Sequence, residues 1–146
     1  RFALYGLAGK LEEVLLKRVW LKSGGYLVIE PTEALTVIDV NTGKYDGSKN
    51  VEETFALINR EAAQETARQI RLRNLSGIIL IDFINQKDRQ AAKELLEELR
   101  SLCKDDPVPV RVVDITALGL VELTRKKVKG TLAEQLKGLK PTGVQR

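Results

Sequence analysis

Hydrophobic residues in this chain recur at two different periods, which predicts that strands and helices alternate along it. Short apolar runs at residues 26–29 and 35–38 are joined by a brief polar connection, so we expect an antiparallel hairpin there. Residues 77–83, 110–114 and 118–123 are further apolar runs that predict strands. The run at 77–83 is almost continuously apolar, which is typical of a central strand covered on both faces.

Other segments have the spacing of amphipathic helices. The apolar spacing that begins at Leu7 predicts a first helix that ends near Trp20. Asn50 followed by Glu53 has the pattern of a capping box and predicts the start of a long helix. Another helix is predicted over residues 91–102, where leucines and alanines recur at helical spacing.

These elements predict an α/β fold: a mixed sheet with a β-hairpin and a βαβ crossover, and helices packed on its faces. The helix between the strands at 77–83 and 110–114 predicts a right-handed parallel crossover. Residues 131–136 favour one or two helical turns, whereas residues 138–146 lack periodicity and are expected to form a loose tail.

Composition limits the chemistry that this chain can perform. With 146 residues, 43% of them hydrophobic and 30% charged, the chain is long enough to form a globular core. No apolar run approaches the roughly 18 to 20 residues that span a bilayer, so we expect no membrane span and a cytoplasmic location. The chain has no histidine and a single cysteine, which excludes histidine-dependent catalysis and makes zinc within this chain implausible. Cys103 lies on the apolar side of its predicted helix and is expected to be buried.

The charge balance is only mildly basic, with a formal net charge of +4 and a pI of about 9.2, and does not by itself identify a nucleic-acid binder. Basic residues near predicted strand ends are candidates for contact with RNA phosphates, although charged loop residues are usually just solvated. These candidates are Lys44, Lys49, Arg125, Lys126 and Lys127. The low aromatic content, 5%, argues against an extended base-stacking surface.

Three predicted strands run into an aspartate. Asp39 and Asn41 share one face of their strand, and Asp82 ends a second strand, so the three side chains would meet if these strands are neighbours. Two carboxylates and an amide oxygen suit Mg²⁺ or Mn²⁺, but aspartates at strand ends also cap helices. Asp114 either adds another carboxylate or caps the turn at Thr116.

Four segments resemble the catalytic core of the ribonuclease E/G family, in the same order. They are RVWLKSGGYLVIEPTEALTVIDVNTGKY, VEETFALINREAA, ARQIRLRNLSGIILIDF and GLVELTRKK. The resemblance implies that residues 15–137 are the family's deoxyribonuclease-I-like catalytic subdomain. It also implies that residues 1–14 are the end of a preceding ribonuclease H-like subdomain, with residues 138–146 left as the tail.

The resemblance implies endonucleolytic hydrolysis of single-stranded RNA with Mg²⁺, or Mn²⁺ as a substitute, leaving 5′-phosphate ends. Asp39 and Asp82 correspond to the family's catalytic and metal-binding aspartates, and Asn41 to its supporting asparagine. The family's oligonucleotide-binding barrel and 5′-monophosphate sensor would lie upstream, and its zinc link between protomers downstream. Because the chain begins with Arg1 and lacks methionine, we expect a piece of a longer polypeptide. The resemblance implies that the full-length enzyme forms homo-oligomers.

This chain departs from the family's pattern at Ala117 and Leu118, where arginine and phenylalanine are frequent, so the resemblance implies no basic contact to substrate there. The main alternative is a non-catalytic RNA-binding or assembly module. A different metal-dependent phosphotransferase is a more distant alternative, since the chain has no glycine-rich phosphate loop.

Overall fold

The computed structural model describes residues 16–44 and 50–128. Its strands are β1 (Arg18–Trp20), β2 (Tyr26–Pro31), β3 (Leu35–Asn41), β4 (Gly77–Asp82), β5 (Val110–Ile115) and β6 (Val121–Arg125), and its helices are α1 (Val51–Arg73) and α2 (Arg89–Cys103). Within these ranges the strands form a single six-stranded sheet in the order β1-β2-β3-β4-β6-β5. The predicted α/β class is therefore confirmed.

Local signals place both helices as expected. The side chain of Asn50 accepts hydrogen bonds from the backbone N–H groups of Glu52 and Glu53, which would otherwise lack partners at the start of α1. The helix ends at Asn74, whose left-handed backbone, with φ of 53°, closes the last turn. Asp88 caps α2 in the same way as Asn50 caps α1.

Helix α1 connects β3 to β4. β2 and β3 form the predicted antiparallel hairpin, and β3 pairs in parallel with β4, its next strand in sequence. β5 is parallel to β4, as the predicted crossover requires, because both pair antiparallel with β6. However, β6 lies between them, so β4 and β5 are not neighbours.

The prediction of a helix up to Trp20 is wrong for its last residues. Arg18–Trp20 is a strand that pairs with residues 26–28 of β2, and the backbone N–H of Ile29 extends the pairing to the carbonyl of Lys17. Val19 and Leu21 turn toward the core while Arg18 and Trp20 are exposed, which is a strand alternation. Residues 1–15, with the earlier part of that prediction, and residues 129–146, with the predicted turns and tail, lie outside the described ranges.

Both helices pack against the same face of the sheet and against each other. This face contributes buried aliphatic side chains from every central strand, namely Leu27, Ile29, Ile38, Val40, Ile79, Ile81, Val121 and Leu123. The side chains between them point to the opposite face. There, among the described residues, no helix covers β4, and Ile78 is 40% exposed. The expectation that β4 is covered on both faces stays a prediction, since the described helices lie on one face only. We call the uncovered side the open face.

The remaining fold predictions concern Cys103 and membrane spanning. Cys103 is buried as expected, and burial, followed by the nearby charge of Asp106, raises the pKa of its thiol to about 11. Neither α1 nor α2 is sufficiently long and apolar to cross a membrane.

Candidate active site

Two carboxylates meet where the parallel strands β3 and β4 end. Asp39 and Asp82 are register partners, so they lie side by side on strands spaced roughly 4.8 Å apart. Both alternate with buried core residues, Ile38 and Ile81, and therefore point to the open face. The sequence predicted this meeting on the condition that the strands are neighbours, and the structure fulfils the condition.

Asn41 joins the pair from the last position of β3. Its Nδ2 donates a hydrogen bond to Asp39 Oδ2 at 3.4 Å, so the amide group orients one of the two carboxylates. Its position is constrained from behind by the β1–β2 turn, because a Cβ at Gly25 would come within 2.7 Å of the Asn41 carbonyl oxygen. Gly43 packs against the backbone of Gly24 with φ of +68°, a left-handed conformation that favours glycine.

Helix α1 holds this turn through Glu61. The Oε1 atom of Glu61 accepts hydrogen bonds from the backbone N–H of Ser23 at 3.1 Å and from its hydroxyl at 2.6 Å. The turn that packs behind Asn41 is thus tied to the helix that follows β3.

The exit of β4 is held by a residue that sequence reasoning missed, Asn59 of α1. Its side chain is 1% exposed and bonds both polar backbone groups of Ile84: Nδ2 donates to the carbonyl at 2.8 Å, and Oδ1 accepts from the N–H at 2.9 Å. Nδ2 also donates to Gln86 Oε1 at 3.1 Å. The available signal was an asparagine within the apolar stripe of α1, next to Ile58, where only a satisfied polar group is tolerated.

The two carboxylates make this part of the open face electronegative. Partial burial raises the pKa of Asp82 above 3.8, and the charge of Asp39 raises it further. Neither Asp39 nor Asp82 takes part in an ion pair between residues of the described ranges. A cation would relieve this repulsion.

The donor set suits an ion that keeps water ligands. Within residues 16–44 and 50–128 no group of three or more histidine, cysteine, aspartate or glutamate side chains is arranged to hold a metal. Mg²⁺ commonly binds through one or two carboxylates and retains several waters, so Asp39 and Asp82, with the amide oxygen of Asn41, fit its needs. The set lacks the histidine and cysteine ligands that are usual for zinc.

Asp114 lies on the edge strand β5 at a distance from this pair, and it borders a hollow beside Arg89 and Lys93 of α2. A bulge at Val113 shifts the β5 register from Val112 opposite Leu123 to Asp114 opposite Glu122. Its Oδ1 accepts a hydrogen bond from the backbone N–H of Ile115 at 2.7 Å, and β6 separates it from β4. The turn at Thr116 is instead closed by Thr116 itself, through its bonds to Leu120. Asp114 therefore neither adds a carboxylate to the pair nor caps the turn at Thr116.

A cavity of about 320 Å³ borders Asp82 on the side of α2. It lies between the β4 exit and the β5–β6 turn, and its walls include Phe83, Leu95 and Leu118. Leu118 is 88% exposed at the tip of that turn. An apolar side chain is thus presented at the rim of the cavity that Asp82 borders.

The predicted RNA-contacting cations are not gathered in one place. Lys44 is exposed a few residues beyond Asn41, at the carboxylate end of the sheet. Lys126 and Lys127 are exposed too, but they follow β6, whose end pairs with the start of β4, roughly 16 Å along the strand from Asp82. Lys49 lies outside the described residues.

Arg125 corrects the prediction of a surface contact, because the residue is only 4% exposed. Its Nε donates to Asp106 Oδ2 at 2.8 Å and its Nη2 to Asp106 Oδ1 at 3.0 Å. Its Nη1 donates to Asn74 Oδ1 at 2.8 Å and to the Leu75 carbonyl at 3.0 Å. The guanidinium joins the ends of α1 and β6 to the loop after α2 and is not available to a phosphate.

Comparison with known proteins places these residues in a family. The model of the Ribonuclease E/G family matches residues 1–128. Ribonuclease G of Escherichia coli (strain K12) is 42% identical over 141 residues, which cover 97% of this chain and 29% of that protein. Ribonuclease G of Haemophilus influenzae is 44% identical over 135 residues, covering 92% of this chain and 28% of that protein.

Ribonuclease E of Nostoc sp. (strain PCC 7120) is 49% identical over 117 residues, covering 80% of this chain and 17% of that protein. The chain therefore spans less than a third of the length of the curated relatives described here.

Proposed function

Because this chain belongs to the ribonuclease E/G family, we propose that it forms the catalytic part of an endoribonuclease acting on single-stranded RNA. The observation that carries the proposal is the register pairing of Asp39 with Asp82 on the open face, with Asn41 beside them. A paired-carboxylate site suits phosphodiester cleavage because a divalent ion bound there can coordinate a phosphate oxygen of the substrate. The names of the relatives supply the substrate class.

Asp39 and Asp82 would hold Mg²⁺, or Mn²⁺ in its place. When bound, the ion supplies positive charge to the scissile phosphate and lowers the pKa of a water molecule. Asn41 keeps Asp39 in one orientation through the hydrogen bond to Oδ2. Asn59 positions the segment that follows Asp82 through its bonds to Ile84.

Hydrolysis that leaves 5′-phosphate ends is the reaction that these residues favour. Metal-free transesterification commonly uses histidine as general acid or base, and this chain has none. Lys44 would contact a backbone phosphate close to the carboxylates, and Lys49 stays a proposed contact. Lys126 and Lys127 would contact the RNA only if its strand runs along the sheet from the carboxylates to the end of β6. Arg125 is left out because it is buried.

The setting of the reaction is part of the same proposal. The relatives are more than three times as long as the matched segment, which supports further domains in a complete enzyme. We propose that residues 15–137 act as its deoxyribonuclease-I-like subdomain, after the end of a ribonuclease H-like subdomain at 1–14. The enzyme would work in the cytoplasm as a homo-oligomer.

The test replaces Asp39 and Asp82 separately by asparagine in the longest natural polypeptide that carries this chain. We expect each variant to lose at least about 10²-fold in cleavage of a single-stranded oligoribonucleotide with Mg²⁺. Asp114→Asn is the matched control, since it removes the same charge from the end of β5, two strands from β4. We expect this control to cleave like the unaltered protein.

Binding of Mn²⁺, followed by its electron paramagnetic resonance signal, provides a readout that does not depend on activity. We expect binding to weaken in Asp39→Asn and Asp82→Asn and to persist in Asp114→Asn. Full cleavage by both site variants would refute the assignment. RNA binding without cleavage in the unaltered protein, with and without Mg²⁺, would instead support the non-catalytic RNA-binding module.

A further inference from the structure

Three side chains form a compact group on the open face at the β1–β2 edge. The rings of Trp20 and Tyr26 have centroids 5.1 Å apart and are tilted by 57°. The guanidinium of Arg18 lies over the Tyr26 ring, 4.4 Å from its centroid, and 5.7 Å from that of Trp20. Trp20 is nevertheless 62% exposed, so a large aromatic surface and a cation face solvent together.

The sheet register connects this group to the candidate active site. Trp20 is the register partner of Tyr26, and Tyr26 is the partner of Asn41. Side chains of directly paired residues share a face, so the rings lie on the same side of the sheet as Asp39. Trp20 is two strand spacings from Asn41, roughly 10 Å.

Aromatic rings and a guanidinium are the groups on which unpaired bases stack, while the cation also attracts phosphate. Stacking needs an exposed ring face, which Trp20 provides, and it does not require a particular base. The Arg18 guanidinium already lies over the Tyr26 ring, so binding RNA does not require it to move to the rings.

We propose that Arg18, Trp20 and Tyr26 form a subsite on which a base of the RNA strand stacks while a nearby phosphate of that strand lies at Asp39 and Asp82. The inference rests on the proposed function, because the RNA strand joins the two places. The group binds and positions the strand and takes no part in the chemistry. The sequence-based expectation that aromatics are too few for an extended stacking surface is compatible with one such subsite.

The test uses the fact that Trp20 is the only tryptophan of the chain, so its fluorescence reports directly on this group. A single-stranded oligoribonucleotide is titrated into the 146-residue chain carrying Asp39→Asn, which prevents cleavage under the proposed function. We expect Trp20 fluorescence to be quenched, and quenched less by an oligonucleotide of equal charge with abasic positions. Equal quenching by both would overturn the subsite.

The second part of the test measures RNA affinity and cleavage for variants of the longest natural polypeptide that carries the chain. Trp20→Ala should weaken RNA binding roughly 5- to 150-fold, the range that alanine substitution gives for base–aromatic stacking. Trp20→Phe should retain most of the affinity, because it keeps a ring, and this variant guards against a folding defect in Trp20→Ala. Val128→Ala is the control: Val128 is 60% exposed beyond β6, at the other end of the sheet.

The outcomes separate this inference from the proposed function. Loss of affinity in Trp20→Ala but not in Trp20→Phe or Val128→Ala supports the subsite. Unchanged affinity and cleavage in Trp20→Ala, with cleavage lost in Asp39→Asn, overturns the subsite and leaves the function standing. A change in Trp20 fluorescence that depends on protein concentration and not on RNA would mean that the rings contact another copy of the protein, which also overturns it.

Discussion

Replacing Arg125 by methionine decides whether this residue is structural, as its burial indicates, or a phosphate contact, as the sequence suggested. Methionine is apolar and unbranched, so it fills much of the space of the arginine stem while removing the charge and its donors. Asp106 would then keep a side chain that is 3% exposed but lose the cation that neutralises it. The carbonyl of Leu75 and the side chain of Asn74 would each lose a donor from Arg125.

We expect Arg125→Met to lower the free energy of unfolding by about 3 to 5 kcal/mol, the usual cost of removing one partner of a buried ion pair. With a urea slope of about 2 kcal/mol per molar, this corresponds to a midpoint shift on the order of 2 M. Urea unfolding followed by circular dichroism measures it. Lys126→Met is the matched control, because it removes the same charge from an exposed neighbour, and it should stay within about 0.5 kcal/mol.

The pH dependence of the free energy of unfolding gives a further test of the Arg125–Asp106 ion pair. Burial raises the pKa of Asp106, but hydrogen bonds from Arg125 and Val108 and the charges of Arg125 and Arg71 outweigh it, so the pKa lies below 3.8. A lowered pKa stabilises the folded protein above 3.8, and this stabilisation is lost as the pH falls through the folded-state value. Without Arg125 the effect of burial remains, so the pKa of Asp106 should rise.

The variant should therefore lose less stability than the unaltered protein when acidified, and the difference between them should narrow below about pH 4. A loss under about 1 kcal/mol at neutral pH, together with weaker RNA binding, would refute the structural role of Arg125.

Three further predictions follow from the site. Asn59→Ala should cost about 2 to 4 kcal/mol, since it leaves the part-buried backbone groups of Ile84 without the partners that Asn59 provides, and faster hydrogen exchange at Ile84 should accompany the loss in urea stability. Asp82→Asn should make the chain more stable to urea at pH 7, because a raised carboxyl pKa destabilises the folded state as the pH rises above 3.8; no gain over Asp114→Asn would contradict this. Mg²⁺ should raise the melting temperature of the unaltered chain more than that of Asp82→Asn, as measured by calorimetry; equal shifts would contradict binding at this carboxylate.

Sequence reasoning succeeded where local patterns determine the structure. The capping residue Asn50 and the apolar stripe of α1 were sufficient to place that helix. The apolar runs that end in Asp39 and Asp82 were sufficient to place β3 and β4. The meeting of the two carboxylates was predicted only on the condition that β3 and β4 are neighbours, and their parallel pairing, which fulfils that condition, is a contact between distant segments.

The failures concern pairing between distant segments. The insertion of β6 between β4 and β5 depends on the relative energies of alternative strand orders, which no local pattern records. Trp20 fits a helical spacing equally well until β2 is available as a partner. Arg125 resembles its exposed neighbours in sequence, and only the approach of Asp106, 19 residues away, makes its burial favourable.

Asn59 and Glu61 lie within one turn of α1, yet they hold the two segments that flank the candidate site. Asn59 holds the chain after Asp82, and Glu61 holds the turn behind Asn41. A substitution in the core that slides α1 along the sheet would carry both segments in the same direction by a similar amount. The two flanking segments would therefore keep their relative position, while the β3–β4 pairing fixes the distance between the carboxylates.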